Sequence, residues 1–448
     1  MDRRRLLIAG GALASVGGRA LAAPQDLRSA ARDAALYCLP LIEMARARWR
    51  LTRPDSAGGA PRVNRFVHDR ALGVAPAPDA SSPDVDTLFS SAWIDLSSGP
   101  VALTMPAAGA AYVSLALIDM FSNTIAVLRA GASAPRRVVI VGPGGRGPPD
   151  CIRSPTPWIW ALGRTLGEGA GDLDRAHRVQ DGFAVSARPG RSPEPAPRAG
   201  AEWNDFLVGA QQLLAENPAP TSDAAFFQRI ALLQLGPRSG FERARFADVE
   251  ADEIVAGIDD ARLAIRAWRD AQRPVGGWIY PKADLANFGV DYLTRAAVAS
   301  DELAALPPIH LLCLTAAAPG GGTAFEGRAY RVSLPGPPPA AAFWSLTLYA
   351  LAPDGRRMLA ANALDRHAIG DRTPNLGRGP EGGIDIWIAR DDPGEPRRAN
   401  WLPAPAQGPF ALVLRAWLPG RELLDGRYRA PPVQAAAPSA GSPSARRA

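Results

Sequence analysis

Lysine, histidine and cysteine are what this 448-residue sequence has least of. Lys282 is the only lysine among 50 basic residues. Mechanisms that need several lysines are therefore excluded, and Schiff-base chemistry has a single candidate. Three cysteines, Cys38, Cys151 and Cys313, lie far apart with no C-x-x-C pair. They build neither a disulfide framework nor a zinc site. Three buried free thiols are expected, with one long-range disulfide as the alternative. His68, His177, His310 and His367 include no pair at metal-ligand spacing, so no metal and no cofactor are expected. The chain lacks the phosphate-binding G-x-x-x-x-G-K-[ST], the zincin H-E-x-x-H and the hydrolase G-x-S-x-G. Gly142, Gly144 and Gly147 spell G-x-G-x-x-G after an apolar run, yet Pro148-Pro149-Asp150 follows instead of a helix. A dinucleotide site needs that helix, whose N-terminus faces the pyrophosphate, so a hairpin loop is expected. No stretch reaches the roughly 18 uninterrupted apolar residues of a membrane span, so no stable membrane insertion is expected.

What is present describes a globular protein. Hydrophobic residues make up 47% and charged residues 21%, and the length leaves room for about three domains. Glycine and proline number 44 each, which favours many short elements joined by turns. The net charge is +6. Arg3, Arg4, Arg5 and Arg19 against Asp2 place half of it in the first 22 residues. The remainder is too dispersed for nucleic acid. Those 22 residues run from an arginine cluster through a modest apolar stretch to small residues at Ala20 and Ala22. They read as a twin-arginine-like signal cleaved after Ala22, giving a periplasmic or secreted protein.

Periodicity divides the rest. Residues 23–85 hold one helix over 27–50, with a kink expected at Pro40, and then a loop. Short apolar runs at 101–105, 112–118, 137–141 and 158–162, separated by Gly/Pro turns, predict an antiparallel sandwich over 86–195. Helical segments are expected at 201–216, 222–235, 248–272 and 284–305, within a helical region 196–306. Strands return at 311–314, 329–334, 342–349, 384–388 and 410–417, making a second β block over 307–434. Residues 435–448 read as a disordered tail. The fold class is mixed: mainly β, with a helical block between two strand-rich ones.

Several motifs resemble a known pair of bacterial families. Residues 84–104, which include Asp86-Thr87-Leu88-Phe89 and Trp93-Ile94-Asp95-Leu96, resemble domain-of-unknown-function family 1254. Ile118-Asp119 with Asn123, Val141-Gly142-Pro143 and Arg153-Ser154-Pro155 continue the match. Phe343 to Tyr349, Arg366-His367 with Gly370-Asp371-Arg372, and Asn400-Trp401-Leu402-Pro403 resemble the companion family 1214. The resemblance covers about residues 30 to 433. It implies an immunoglobulin-like sandwich, a helical part and a C-terminal jelly roll; the families' names state no function. The chain departs from the pattern at Pro83-Asp84, Phe89, Val127–Gly131, His367 and Pro308–Leu312. If those positions line a site, its ligand differs from the family's or its activity is lost.

Three polar clusters are candidates for chemistry. In the first, His367 is a general base with Asp371 beside it, and Arg366 and Arg372 bind an anionic group; the alternative is a loop pinned by Asp365 and its neighbours. In the second, Asp84 and Asp86 share a strand face and split their pKa values, with Thr87, Ser90 and Ser91 nearby; the alternative is a capped strand start. In the third, Asp119, Asn123, Arg153 and Arg164 line a crevice between domains; the alternative is surface loops. Trp344, Tyr349, Trp401 and Trp417 are either core or a sugar-stacking platform. The candidate catalytic set is His367, Asp371 and Asp86. The candidate ligand contacts are Arg366, Arg372, Asp119, Asn123, Asn400 and Trp401. The expected function is binding of a small polar molecule or glycan fragment in a crevice between β domains. A cofactor-independent hydrolase or lyase built on His367 and an oligomeric envelope scaffold are the alternatives, and homo-oligomerisation stays open.

Overall fold

The computed structural model describes residues 26–437, except 55–58, 74, 76–81, 168, 196, 198–201 and 237–238. The signal expected over 1–22 and the end of the expected tail, 438–448, lie outside the described residues.

Helix α1 (Leu27–Thr52) starts at Asp26, whose side chain accepts the Ser29 amide, the usual service of an N-cap aspartate. Its alanine-rich face is buried, and the helix continues through Pro40. The N-terminal sandwich follows: β1 (Val67–His68), β2 (Thr87–Asp95), β3 (Val101–Met105), β4 (Val113–Asp119), β5 (Thr124–Arg129), β6 (Arg136–Val141), β7 (Ile152–Arg153), β8 (Trp158–Leu166), helix α2 (Leu173–Asp181) and β9 (Ala184–Ser186). One sheet has the order β1-β2-β8-β4-β5 and the other β7-β6-β3-β9. The sequence pattern missed α2. The glycine loop after β6 is not a hairpin: β7 runs parallel to β6, with Ile140 opposite Ile152, and no helix follows it.

The larger sheet is buried on both faces, and its two-residue period sorts the side chains. Ala92, Ile94, Leu115, Leu117, Ile159 and Ala161 pack into the sandwich interior. Trp93, Ala116, Ile118, Trp158 and Leu162 point the other way, onto the helices.

The helical block contains α3 (Trp203–Glu216), α4 (Ala224–Arg229), α5 (Asp248–Asp270) and α6 (Tyr292–Asp301). The helix expected over 222–235 is broken: α4 ends at Arg229, a 3-10 turn follows over Ala231–Leu233, and Gln234 then takes a left-handed conformation. The one expected from 284 begins at 292, where Asp291 accepts the Thr294 amide. Buried Asp223 ties the block to α1 by accepting Tyr37 Oη at 2.7 Å and Tyr292 Oη at 3.0 Å. Helices α1 and α5 meet closely at Gly257, where a Cβ would lie 2.2 Å from the Arg28 carbonyl.

The C-terminal sandwich contains β10 (Trp278–Ile279), β11 (Leu311–Ala316), β12 (Ala329–Leu334), β13 (Ala340–Leu351), β14 (Arg357–Met358), β15 (Ala368–Gly370), β16 (Ile384–Ala389), β17 (Trp401–Pro403), β18 (Phe410–Pro419), the short helix α7 (Arg421–Leu424) and β19 (Gln434–Ala435). One sheet runs β10-β11-β18-β13-β14, with β15 also on β13; the other runs β17-β16-β12-β19. Ala435, at the start of the expected tail, pairs with Tyr330. Leu312, Leu314, Leu346, Leu348, Leu412 and Leu414 fill the interior between the sheets. The alternate residues of β11, β13 and β18 face outward, toward the first sandwich. There Phe343 and Trp417 stack at 5.1 Å, and Tyr112 of the N-terminal half meets them edge-on at 5.6 and 5.3 Å. Two β-sandwiches thus meet sheet face to sheet face beside a helical block.

Candidate functional site

The seam between the sandwiches is polar at its centre, although both contributing sheets are mostly apolar. Strand register explains which side chains arrive there. On the C-terminal side Cys313, Arg415 and Ser345 form one row across β11, β18 and β13, all on the outward face. On the N-terminal side Arg164 lies between Phe89 and Ser114 as cross-strand partners. Its guanidinium sits 5.4 Å over the Phe89 ring, a favourable cation–π placement.

Asp86 joins the halves. Its carboxylate accepts Ser345 Oγ at 2.6 Å and Arg372 Nη2 at 2.5 Å. It is buried, and that burial raises its pKa against the opposing pull of Arg372. Arg372 also lies 4.1 Å over the Phe343 ring. Arg415 donates to Tyr349 Oη at 2.8 Å, and Tyr349 in turn donates to the Pro83 carbonyl at 2.8 Å. Burial raises the Tyr349 pKa, so it remains a phenol. Arg164 donates to the Ala304 carbonyl at 3.3 Å.

These contacts leave polar atoms over. Nη1 of Arg164, of Arg372 and of Arg415 is buried and has no hydrogen-bond partner among the described residues, and the same is true of Thr347 Oγ1. Such orphans are rare in folded proteins, because each costs about 1–3 kcal/mol. Three of the unpartnered guanidinium nitrogens lie in this seam, and Arg48 and Arg295 carry others elsewhere in the fold. Glu302, just beyond α6, interacts electrostatically with Arg415, Arg164 and Arg357, yet makes no ion pair with any of them. It keeps accessible surface, while the surrounding protein desolvates the carboxyl and raises its pKa. Desolvation likewise pushes the Cys313 thiol up to about 11, so it is a poor nucleophile. Together these groups form a buried polar cluster where the two sandwiches meet near the end of α6.

The residues singled out in the sequence fall in different places. Asp86 and Arg372 meet directly. Asp371 stands beside them: burial raises its pKa, and it accepts the Trp344 amide at a long 3.4 Å. Asp84 caps the start of β2, accepting the Asp86 and Thr87 amides and the Thr87 hydroxyl. Ser90 bonds His68 at 2.8 Å, and Ser91 accepts Trp160 Nε1 at 2.7 Å. His367 is 3.3 Å from exposed Asp365 and contacts Asn362 at 3.4 Å. Its contacts share no residue with those of Asp86. Arg366 donates to the carbonyls of Ala399 and Trp401. Asn400 bridges Gly377 and Asp385, and Trp401 Nε1 donates to the Ala389 carbonyl. Asp119 closes its own turn on the Phe121 and Asn123 amides, and Asn123 accepts the Phe288 amide. Arg153 pins the Gly145 carbonyl. Trp344 is interior core, whereas Tyr349 and Trp417 lie in the seam.

Glu302 and Arg415 were missed. Arg415 carried a usable signal: it is the one charge in the apolar run 410–418, and a strand buried on both faces tolerates an arginine only if something meets it. Among the described residues no group of three His, Cys, Asp or Glu side chains could hold a metal. The three cysteines are free. No helix among the described residues is long and apolar enough to cross a membrane.

A protein of two β-sandwiches with a helical block at their seam is the class this architecture defines. Residues 63–187 match the family described as protein of unknown function DUF1254, and residues 312–421 match DUF1214. The two matches fall in the order that the motifs implied. The crystal structure of the VPA0106 protein from Vibrio parahaemolyticus is similar over 92% of this chain and 100% of that one, at 18% identity and a TM-score of 0.67; the two share the fold. A putative uncharacterized protein from Burkholderia cenocepacia aligns over 86% of this chain and 84% of its own, at 13% identity and a TM-score of 0.45. No curated protein matches the chain.

Proposed function

We propose that the protein binds a small polar molecule bearing an anionic group, or a glycan fragment bearing one, at the polar seam between its two sandwiches. One observation carries this reading: Arg164, Arg372 and Arg415, all at the same seam, each keep a buried, unpartnered nitrogen. Guanidinium forks suit carboxylate and phosphate oxygens, and in a desolvated setting such bonds are strong. A crevice between domains is also where ligand sites concentrate. The first 22 residues support export, so the ligand is met outside the cytoplasm.

Calorimetry of the full chain with acetate, citrate and inorganic phosphate tests the reading. Binding of at least one anion, lost on Arg415→Met in a protein with an unchanged circular dichroism spectrum, supports it. Equal affinity in wild type and variant would remove the seam as the site. The hydrolase reading built on His367 gains nothing from the geometry, because His367 contacts Asp365 and Asn362 and not the guanidinium cluster.

A further inference from the structure

We propose that a groove among helices α1, α3 and α5 binds a long-chain amine, its alkyl chain between the helices and its ammonium beside Glu202. The groove shares no residue with the arginine cluster of the seam. The first argument is a cavity of about 460 Å³, within the size range of small-molecule sites. Leu39 and Ile42 of α1, Trp203 and Phe206 of α3, and Val255 and Ile258 of α5 line it. Ala35 and Ala261 line it too, and side chains this short leave the space between the helices unfilled. Leu39, Trp203 and Phe206 are only partly buried, and Val255 is exposed. Apolar surface gathered in one concave place marks a binding site; single scattered residues do not.

The second argument is shape. The walls run from Ala35 to Glu43 on α1 and from Val255 to Ile265 on α5. At the rise of an α-helix these stretches are about 12 and 15 Å long. A groove of that length suits an extended chain better than a compact ring.

The third argument is charge. Glu43, Glu202, Asp259 and Arg262 are the charged side chains lining the groove. Arg46 donates to both carboxylate oxygens of Glu43, at 2.8 and 2.9 Å. Arg262 donates to Asp259 at 2.6 Å. Arg243 lies 5.0 Å over the Trp203 ring, outside the lining, and faces Asp248 at 3.6 Å. The Glu202 carboxylate, exposed just before α3, has no ion pair or hydrogen bond among the described residues. One unmatched negative charge thus stands beside an apolar groove. An ammonium answers it, whereas the carboxylate of a fatty acid meets repulsion.

Calorimetry of the full chain with decylamine, decanol and decanoate, each below its micellar concentration, tests the proposal. The three share one chain and differ in the charge of the head. One decylamine is expected per chain, bound on the order of tenfold tighter than decanoate, with decanol between them. Glu202→Gln is expected to remove most of that difference and to leave decanol unchanged. Val255→Trp, which fills the groove from an exposed position, is expected to abolish binding of all three with an unchanged circular dichroism spectrum. Decanoate binding as tightly as decylamine overturns the assignment of a cation. Equal decylamine affinity in wild type and Val255→Trp, or no binding to the wild type, overturns the groove as a site. A wild-type dimer in light scattering that Val255→Trp turns into a monomer gives the groove to a second copy and also overturns it.

Discussion

Asp86 and Arg372 stand 286 residues apart in the chain and meet at 2.5 Å across the seam between the two sandwiches. The pair fixes how the halves face one another, because Asp86 precedes the first long strand of one sandwich while Arg372 follows β15 of the other. Ser345 supplies the second bond from the C-terminal side.

Asp86→Ala breaks a buried pair and leaves a guanidinium uncompensated. The expected cost is about 3 kcal/mol, read as a lower midpoint in urea unfolding. A change below about 0.5 kcal/mol, the level of an ordinary surface substitution, would show that the seam does not depend on the pair.

Asp95, buried at the end of β2, predicts an acid-sensitive contribution. Burial alone would raise its pKa, but bonds from the Arg191 amide, the Ser97 hydroxyl, the Arg191 guanidinium and the Ser97 amide outweigh burial and hold it below the ordinary 3.8. A depressed carboxyl stabilises the fold above its unfolded pKa, and the contribution is lost as pH falls through the folded value. Asp95→Asn is therefore expected to destabilise near pH 7, with the difference from wild type shrinking below about pH 4. A difference that grows on acidification would contradict the sign.

Gly257→Ala would drive a methyl to within 2.2 Å of the Arg28 carbonyl and 2.8 Å of Ala31 Cβ. Overpacking of this kind costs about 2 kcal/mol. Since alanine improves helix propensity by up to about 1 kcal/mol, a lower melting temperature isolates the helix–helix contact. A higher one would show that α1 and α5 can separate freely.

The two arginine groups should behave differently. Arg366→Ala removes bonds to the Ala399 and Trp401 carbonyls, so it is expected to cost stability and leave anion affinity unchanged. Arg164→Met is expected to lower that affinity on the order of tenfold, the loss of one charge-assisted bond. The reverse pattern, read by calorimetry, would move the site to the loop at 362–367.

The strands were legible where turn formers flank a continuous apolar run, as at Val101–Met105, or an alternating one, as at Ala329–Leu334. Helix α5 was legible from its period and its start at Asp248. Helix α2 was not, because its nine residues carry only two buried side chains, Ala176 and Gln180. Asp86 and Arg372 could each be picked from a polar motif, but their pairing could not: register between distant strands decides it. Glu302 was illegible for a different reason. It is a lone carboxyl after a helix, and only the arginines that three separate strands bring around it give it meaning.

The account's central claim is that the seam receives an anion. Anomalous diffraction from crystals soaked in bromide tests it most directly. The account predicts a bromide peak within hydrogen-bond reach of Arg164 Nη1 and Arg415 Nη1. Bromide bound at other sites with none between these two guanidiniums would contradict it.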